Sequence, residues 1–284
     1  MSKKHRPITV GRVMGVLRYV PLVLWVVFWV VALGWIVMAS FSTTKEIFTD
    51  NLLGSGWHIE NYINSWQRNN FGRYFLNSIV ITSISCVLII LISSPAAYVL
   101  AKKTFIGKKL VMNSFVLALS VPQVMLVIPI YVQFIKMGMI GHLYSLIILY
   151  VAFNIPYTIF FLTSFISTIP KELAEAAMID GCSEGKAMWK VMMPMATPGI
   201  ITVTIFNFMG IWNEYFIALI FANGNDKIRT LSMGMQSIVT AMKYTGDWAG
   251  LFASVMILFT PTFILYLFLS DKIVSGITGG GVKG

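Results

Sequence analysis

The chain has 284 residues, of which 57% are hydrophobic and 11% charged, with a formal net charge of +10. Ordinary soluble domains carry about 25% charged and roughly 45–50% apolar residues, so a water-soluble globular class is excluded. The basic residues flank apolar runs, which marks the charge as the side bias of a membrane protein and not as a nucleic-acid surface.

The N-terminal arm, residues 1–19, carries Lys3, Lys4, Arg6, Arg12 and Arg18. It opens as a secretory leader does. The apolar run behind it, Val20–Phe41, exceeds the ~7–15 residues of a leader core and lacks a small-residue cleavage site. It reads as an uncleaved first span. Five more runs follow: Phe75–Ala101, Leu110–Ile135, Leu143–Ile166, Met195–Ala222 and Leu251–Leu269. Each has about the 20 residues needed to cross a ~30 Å hydrocarbon core. The expectation is an all-α polytopic membrane protein with six transmembrane helices. Residues 20–270 form its six-span domain, with core spans over 75–270, a polar connection at 167–194 and a glycine-rich tail at 271–284.

The connections alternate in charge. The arm, the second–third loop (Lys102, Lys103, Lys108, Lys109), the fourth–fifth loop (Lys171, Lys186, Lys190) and the tail (Lys272, Lys283) hold fourteen basic residues. The opposite side holds seven over a similar length of loop. Positive charge collects on the cytoplasmic side, so both termini and the 167–194 connection are expected there.

The spans are not uniformly apolar. Pro95, Pro122, Pro129 and Pro156 interrupt them, and Asn154, Asn207, Asn213 and Glu214 fall within them. Proline in a span frees backbone groups that neighbours or water must satisfy. Such breaks suit a bundle that lines a path, and they also occur in bundles that are merely packed. Glu214 is the one carboxylate clearly inside a predicted span, and intramembrane charge defaults to a functional hypothesis. Its bland reading is a packing contact near the outer end of the fifth span. A lone carboxylate argues against a proton relay. Cys86 lies in an apolar run and Cys182 in a polar loop, so no disulfide is expected. His5, His58 and His142 have no ligand spacing, so no metal site is expected.

The connection reads "STIPKELAEAAMIDGCSEGKAMWKVMMP". Pro170 suits a helix start, and Glu172 and Glu175 fall in early turns where negative charge is favoured. Gly181 suits the left-handed turn that ends a helix. Ser183 can cap a second helix, which Met193-Pro194 closes at the membrane. Two short helices around a glycine elbow result. The small Ala176 and Ala177 leave little between backbone and partner. Docking into a cleft of another protein and resting on lipid both fit this form. Gly185-Lys186 suggests a phosphate loop, but only three residues separate Gly181 from Gly185 and Ala187 stands where Ser or Thr is needed. The chain is expected to bind no ATP itself.

Glu175-Ala176-Ala177, three residues, Gly181, nine residues and then Val191-x-Met193-Pro194 resemble the EAA loop of binding-protein-dependent ABC importer permeases. Val191 and Met193 replace the usual Ile and Leu. The stretches "FGRYFLNSIVIT", "MGIWNEYFIALIFA", "TLSMGMQSIV" and "GITGGGVKG" resemble the six-span second permease of the maltose-type carbohydrate subgroup. This resemblance implies a type I ABC importer permease fold in a bacterial or archaeal cytoplasmic membrane, surrounded by lipid. It implies a second, different permease subunit, two ATP-binding subunits that hold ATP and magnesium, an extracytoplasmic solute-binding protein and a carbohydrate substrate, an oligosaccharide first. Glu175, Ala176, Ala177, Asp180, Gly181 and Pro194 would form the ATPase-coupling loop, with Glu175 pairing a basic group on the ATPase. Gly279, Gly280, Gly281 and Lys283 would form an ATPase-contacting tail, and the segment from Asn223 to Trp248 would reach the binding protein. Asn154, Asn207, Asn213 and Glu214 are the candidate path residues. The competing class is an ion-coupled carrier working without an ATPase. A scaffold or intramembrane enzyme lacks any catalytic constellation.

Overall fold

A computed structural model of the chain describes residues 19–281 apart from Asp50, Asn69 and Asn223, with backbone alone at Arg68, Leu269 and residues 271–281. The described residues form helices and turns and no strand. Hydrocarbon demands this, because a helix satisfies its backbone N–H and C=O groups within one segment. Two compact units divide the chain, one within Met1–Trp66 and Val239–Ile257, the other within Gln67–Ile238 and Leu258–Gly284.

The first unit is led by α1, Val20–Ser40. Its 21 residues reach about 31 Å at ~1.5 Å per residue, the thickness of a bilayer core. Its side chains from Val20 to Val31 are exposed, a surface for lipid to cover. At its far end Ala39 and Ser40 are buried. There Ala39, Ile47 and Ala249 form a small core, rimmed by ring pairs Trp35–Phe252 at 5.2 Å and Phe48–Trp248 at 5.5 Å.

A tight turn follows α1. Helix α2, Thr44–Phe48, opens with a capping box: Glu46 N donates to Thr43 Oγ1 at 3.3 Å, and Thr43 N donates to Glu46 Oε2 at 2.8 Å. Glu46 Oε1 also accepts from Ser55 N at 2.5 Å and from Ser55 Oγ at 2.7 Å. The Ser55 hydroxyl bond first, then the Thr43 amide, hold its carboxyl down at about 2 from an ordinary 4.5. A depressed carboxyl stabilises the fold fully above the ordinary value and loses that contribution as pH falls through the depressed one. Protection of the Thr43 and Ser55 amides from hydrogen exchange is therefore expected to hold down to pH ~4.5 and to drop between there and pH ~2. The variant Glu46→Gln is expected to remove that step, as read by exchange corrected for intrinsic pH dependence.

Helix α3, Glu60–Arg68, is bonded back to the end of α1. Asn61 Nδ2 donates to Ser40 O at 3.0 Å and Ser42 O at 2.9 Å, and the Tyr62 hydroxyl meets Ser40 Oγ at 2.7 Å.

The second unit is built on α4, Phe71–Lys102, and α7, Leu143–Thr168, which pack along each other and against α11, Thr197–Asn213. Two apolar clusters lie within it among the described residues. One joins Ile81, Ile89, Leu146, Leu149 and Phe221; the other joins Tyr98, Leu162, Ile166, Met192 and Val203. Close helix approach depends on Gly199, where an added Cβ would meet the Phe165 ring at 2.5 Å.

The third predicted span, Leu110–Ile135, is not one helix. It divides into α5, Lys108–Ser120, and α6, Gln123–Lys136, at 97° to each other. Pro122 is the cause: its ring pushes Val121 out of helical space, to φ −84° and ψ 118°. The two legs have 13 and 14 residues, about 20 Å each and too short to cross alone. The fifth predicted span, Met195–Ala222, is also broken. It starts from a segment bent 72° against α11, and it stops at Glu214 before resuming as α12, Phe216–Ala222. Among the described residues four helices are long and apolar enough to cross a membrane, or up to six if each bent pair is one span. A 3-10 turn at Asp226–Ile228, α13 (Leu231–Thr245) and α14 (Trp248–Gly281) complete the chain. The helical backbone of α14 continues into the expected tail, through Gly279, Gly280 and Gly281. Lys283 lies outside the described residues.

The connections of the second unit sort to two ends. Lys102 Nζ donates to Ser167 O at 3.3 Å and to Ile169 O, capping the C-terminus of α7 with positive charge. Thus the second–third and fourth–fifth connections meet. At the other end Asn77 Nδ2 donates to Lys227 O at 2.9 Å and Arg229 O at 2.8 Å, and Asn225 Nδ2 donates to Gly141 O at 2.9 Å. This grouping is the one that the charge pattern separates.

Candidate coupling loop and polar path

The 167–194 connection folds as α8 (Glu172–Ile179), a turn at Gly181, α9 (Glu184–Ala187), a π turn (Met188–Met192) and α10 (Met193–Met195). Gly181 has φ +84°, in left-handed space. Gly181 N donates to Met178 O at 3.1 Å and Cys182 N to Ala177 O at 2.9 Å. These two bonds are a Schellman closure of α8. Glu172 and Glu175 occupy its first turn, where the helix dipole favours them. Pro170 stands just outside, with Lys171 at the cap position. Ser183 has the extended backbone of a cap, but its hydroxyl makes no capping bond.

One side of this element is fixed and the other is free. Ala174 is buried in the cluster with Ile166, Ile169 and Met192. Ala187 and Met192 are buried as well. Glu175, Ala176, Asp180 and Pro194 are exposed, Ala177 is half-buried, and Ile179 is 86% exposed. Glu175 Oε1 meets Lys171 Nζ at 3.2 Å one helical turn away, both in solvent. Such exposed pairs contribute about 0.3–0.5 kcal/mol, so Glu175 is free to exchange partners. Lys103 Nζ meets Glu184 Oε1 at 2.5 Å, and this bond raises the lysine's pKa. It braces α9 against the second–third connection. A lysine pair after a span is the one local signal of this contact.

Three of the four path candidates are brought together and one is not. Asn207, on α11, is buried and donates from Nδ2 to Thr158 Oγ1 at 2.9 Å on α7. Thr158 Oγ1 donates to Asn154 O at 2.8 Å, and Asn154 Nδ2 donates to Tyr150 O at 2.7 Å. The Tyr150 hydroxyl donates to Glu214 Oε2 at 2.7 Å. A polar ladder thus climbs α7 and ties it to the interior of α11 at Asn207 and to its C-terminal end at Glu214. Asn213 stands apart, exposed and donating to Met209 O of its own helix at 2.8 Å. Glu214 sits at the break between α11 and α12. Its Oε1 accepts from Ile217 N at 2.7 Å and its Oε2 from Ala218 N at 3.0 Å, so it caps α12. Thr158 and Tyr150, missed from sequence, are the links. Thr158 lies one turn from Asn154, which was the only readable signal.

An all-helical bundle with broken apolar helices and an exposed helix–glycine–helix loop at one end is the architecture of a transport-system membrane subunit. The family described as the binding-protein-dependent transport system inner membrane component matches residues 89–278. The chain belongs to this family. It is 35% identical over 260 residues to the diacetylchitobiose uptake system permease protein of Streptomyces coelicolor, covering 91% of this chain and 86% of that one. It is 32% identical to the trehalose/maltose transport system permease protein of Thermococcus litoralis, covering 88% and 90%. It is 30% identical to the sulfoquinovosyl glycerol transport system permease protein of Agrobacterium fabrum, covering 88% and 87%. Its fold matches a chain in the crystal structure of a bacterial ABC transporter involved in the import of the acidic polysaccharide alginate, with a TM-score of 0.79 at 19% identity over 94% of this chain and 99% of that one.

Proposed function

We propose that this chain is one of two different permease subunits of an ATP-driven carbohydrate importer, with oligosaccharides as the first substrate class to test. It crosses the cytoplasmic membrane of a bacterial or archaeal cell six times, each bent pair counting as one crossing, with both termini in the cytoplasm. Loop 167–194 docks α8 in a cleft of an ATP-binding subunit. Two such subunits hold the ATP and magnesium, and this chain hydrolyses nothing. A solute-binding protein outside delivers the sugar, reaching the segment from Asn223 to Trp248. Gly279–Gly281 and Lys283 contact the ATPase pair. Asn154, Asn207, Asn213 and Glu214 border the path. The names of the relatives support the substrate class.

The observation that carries the coupling role is the exposed face of α8. A fixed inner side at Ala174 leaves Glu175, Ala176 and Ile179 pointing away from the bundle, at the end where positive charge gathers. ATP binding closes one two-state element, and docking passes the preference to another. In proteoliposomes holding the assembled transporter, Glu175→Lys is expected to abolish ATP-dependent sugar uptake and its stimulation by binding protein, while the complex still assembles. Uptake at the unmodified rate overturns the assignment.

A further inference from the structure

Helix α3 is amphipathic the wrong way round for a helix packed on a protein. Its inward side is polar: Asn61 and Tyr62 bond to Ser40 and Ser42 at the end of α1, and Ser65 Oγ donates to Gly250 O at 3.2 Å. Its large apolar side chains are exposed. Ile63 is 50% exposed and Trp66 42%, and Ile59, just before the helix, is 58% exposed. At about 100° per residue, positions 59, 63 and 66 share one stripe. Glu60, Asn64 and Gln67 form a separate exposed polar stripe. The helix therefore has three sides: one bonded to protein, one apolar and exposed, one polar and exposed.

Its position says what the exposed apolar side meets. Asn61 and Tyr62 hold α3 to Ser40, the last residue of a helix whose 21 residues match the ~30 Å hydrocarbon core. That places α3 at the boundary between acyl chains and headgroups. Trp57, 66% exposed, stands beside the same stretch of chain. Two tryptophans, two isoleucines and a flanking polar stripe are what that boundary selects.

We propose that α3 lies in the bilayer interface beyond α1, with Ile59, Ile63 and Trp66 in lipid and Glu60, Asn64 and Gln67 toward water. It thereby fixes how deep the end of α1 sits. The inference rests on reading α1 as a span.

The test uses the assembled transporter in phosphatidylcholine–phosphatidylglycerol nanodiscs, in a Cys182→Ser background, with one nitroxide per variant at Ile63→Cys, Trp66→Cys, Asn64→Cys or Val31→Cys. Collision with oxygen reports lipid and collision with a water-soluble nickel chelate reports water. The oxygen-to-nickel ratio is expected to be several-fold higher at 63 and 66 than at 64. Nickel access at 63 and 66 overturns the proposal. Loss of both collisions there overturns it too, because a protein partner then covers the stripe. Val31 separates the two readings: if it is open to nickel, α1 is no lipid-facing span. If it is in lipid while 63 is in water, only the placement of α3 falls. A measurement without labels stands beside these. Brominated lipids quench tryptophan emission, and Trp57→Phe with Trp66→Phe is expected to remove a lipid-quenched share. Quenching of that share by aqueous iodide instead overturns the proposal.

Discussion

Gly181→Pro is expected to separate ATP hydrolysis from sugar uptake in the assembled transporter while leaving the bundle folded. Gly181 sits at φ +84° and donates its N–H to Met178 O at 3.1 Å. Proline holds φ near −65° and has no N–H, so it can neither adopt this turn nor close α8. The direction in which α8 enters α9 must then change. The effect is conformational and not steric, because an added Cβ at Gly181 meets nothing within 4 Å. A graded series follows. Asparagine tolerates left-handed space best after glycine, so Gly181→Asn is expected to retain most uptake. Gly181→Ala strains the turn by roughly 1–2 kcal/mol, which shifts the population of the bent form about 5–30-fold. Thermal unfolding of all three is expected to stay near that of the unmodified complex, since the α4–α7 clusters do not include the turn. Uptake and ATPase rates are measured together. A proline variant that couples normally, or an alanine variant worse than proline, overturns the role of the elbow.

Much of this architecture was legible because single residues dictate it. Gly181 could be read as a helix end, and the mostly apolar 21-residue stretch of α1 as a helix long enough to cross a membrane. Pro122 shows the limit. Pro95, Pro129, Pro156 and Pro261 all stand inside helices that continue, whereas Pro122 ends one. Neighbouring helices decide whether the backbone groups freed by a proline are satisfied, and neighbours are not visible in a local sequence. The polar ladder was half legible for the same reason. Asn154 and Thr158 share a face by spacing, but the register that sets Thr158 against Asn207 is a property of two packed helices. Helix α3 marks the third kind of limit. The spacing of Ile59, Ile63 and Trp66 defines a stripe, yet only the bonds of Asn61, Tyr62 and Ser65 show that the stripe faces outward.

Glu214 separates the importer reading from the ion-coupled one most sharply. Its carboxylate accepts from the Tyr150 hydroxyl at 2.7 Å, Ile217 N at 2.7 Å and Ala218 N at 3.0 Å, and its backbone O accepts from Ser232 Oγ at 2.6 Å. These partners are buried: Tyr150, Ile217 and Ala218 are all inside the core. A negative group at the start of α12 also meets the positive end of that helix dipole. Glu214→Ala leaves a hydroxyl and two amides without their acceptor, and each buried group so orphaned costs about 1–3 kcal/mol. A clear drop in thermal stability and faster exchange of the Ile217 and Ala218 amides are expected, with uptake lost through the disordered break. Glu214→Gln keeps one carbonyl oxygen for an amide of α12, and its NH2 can donate to the Tyr150 oxygen once that hydroxyl turns. It is expected to retain most uptake with a modest loss of stability. A carrier that moved protons or cations through this carboxyl would behave in the opposite way. Glutamine cannot take up or release a proton, so transport would stop while the fold stayed intact. Stable Glu214→Gln protein without uptake thus transfers the carboxylate from capping a helix to carrying an ion, and a transporting Glu214→Gln leaves the cap as its role.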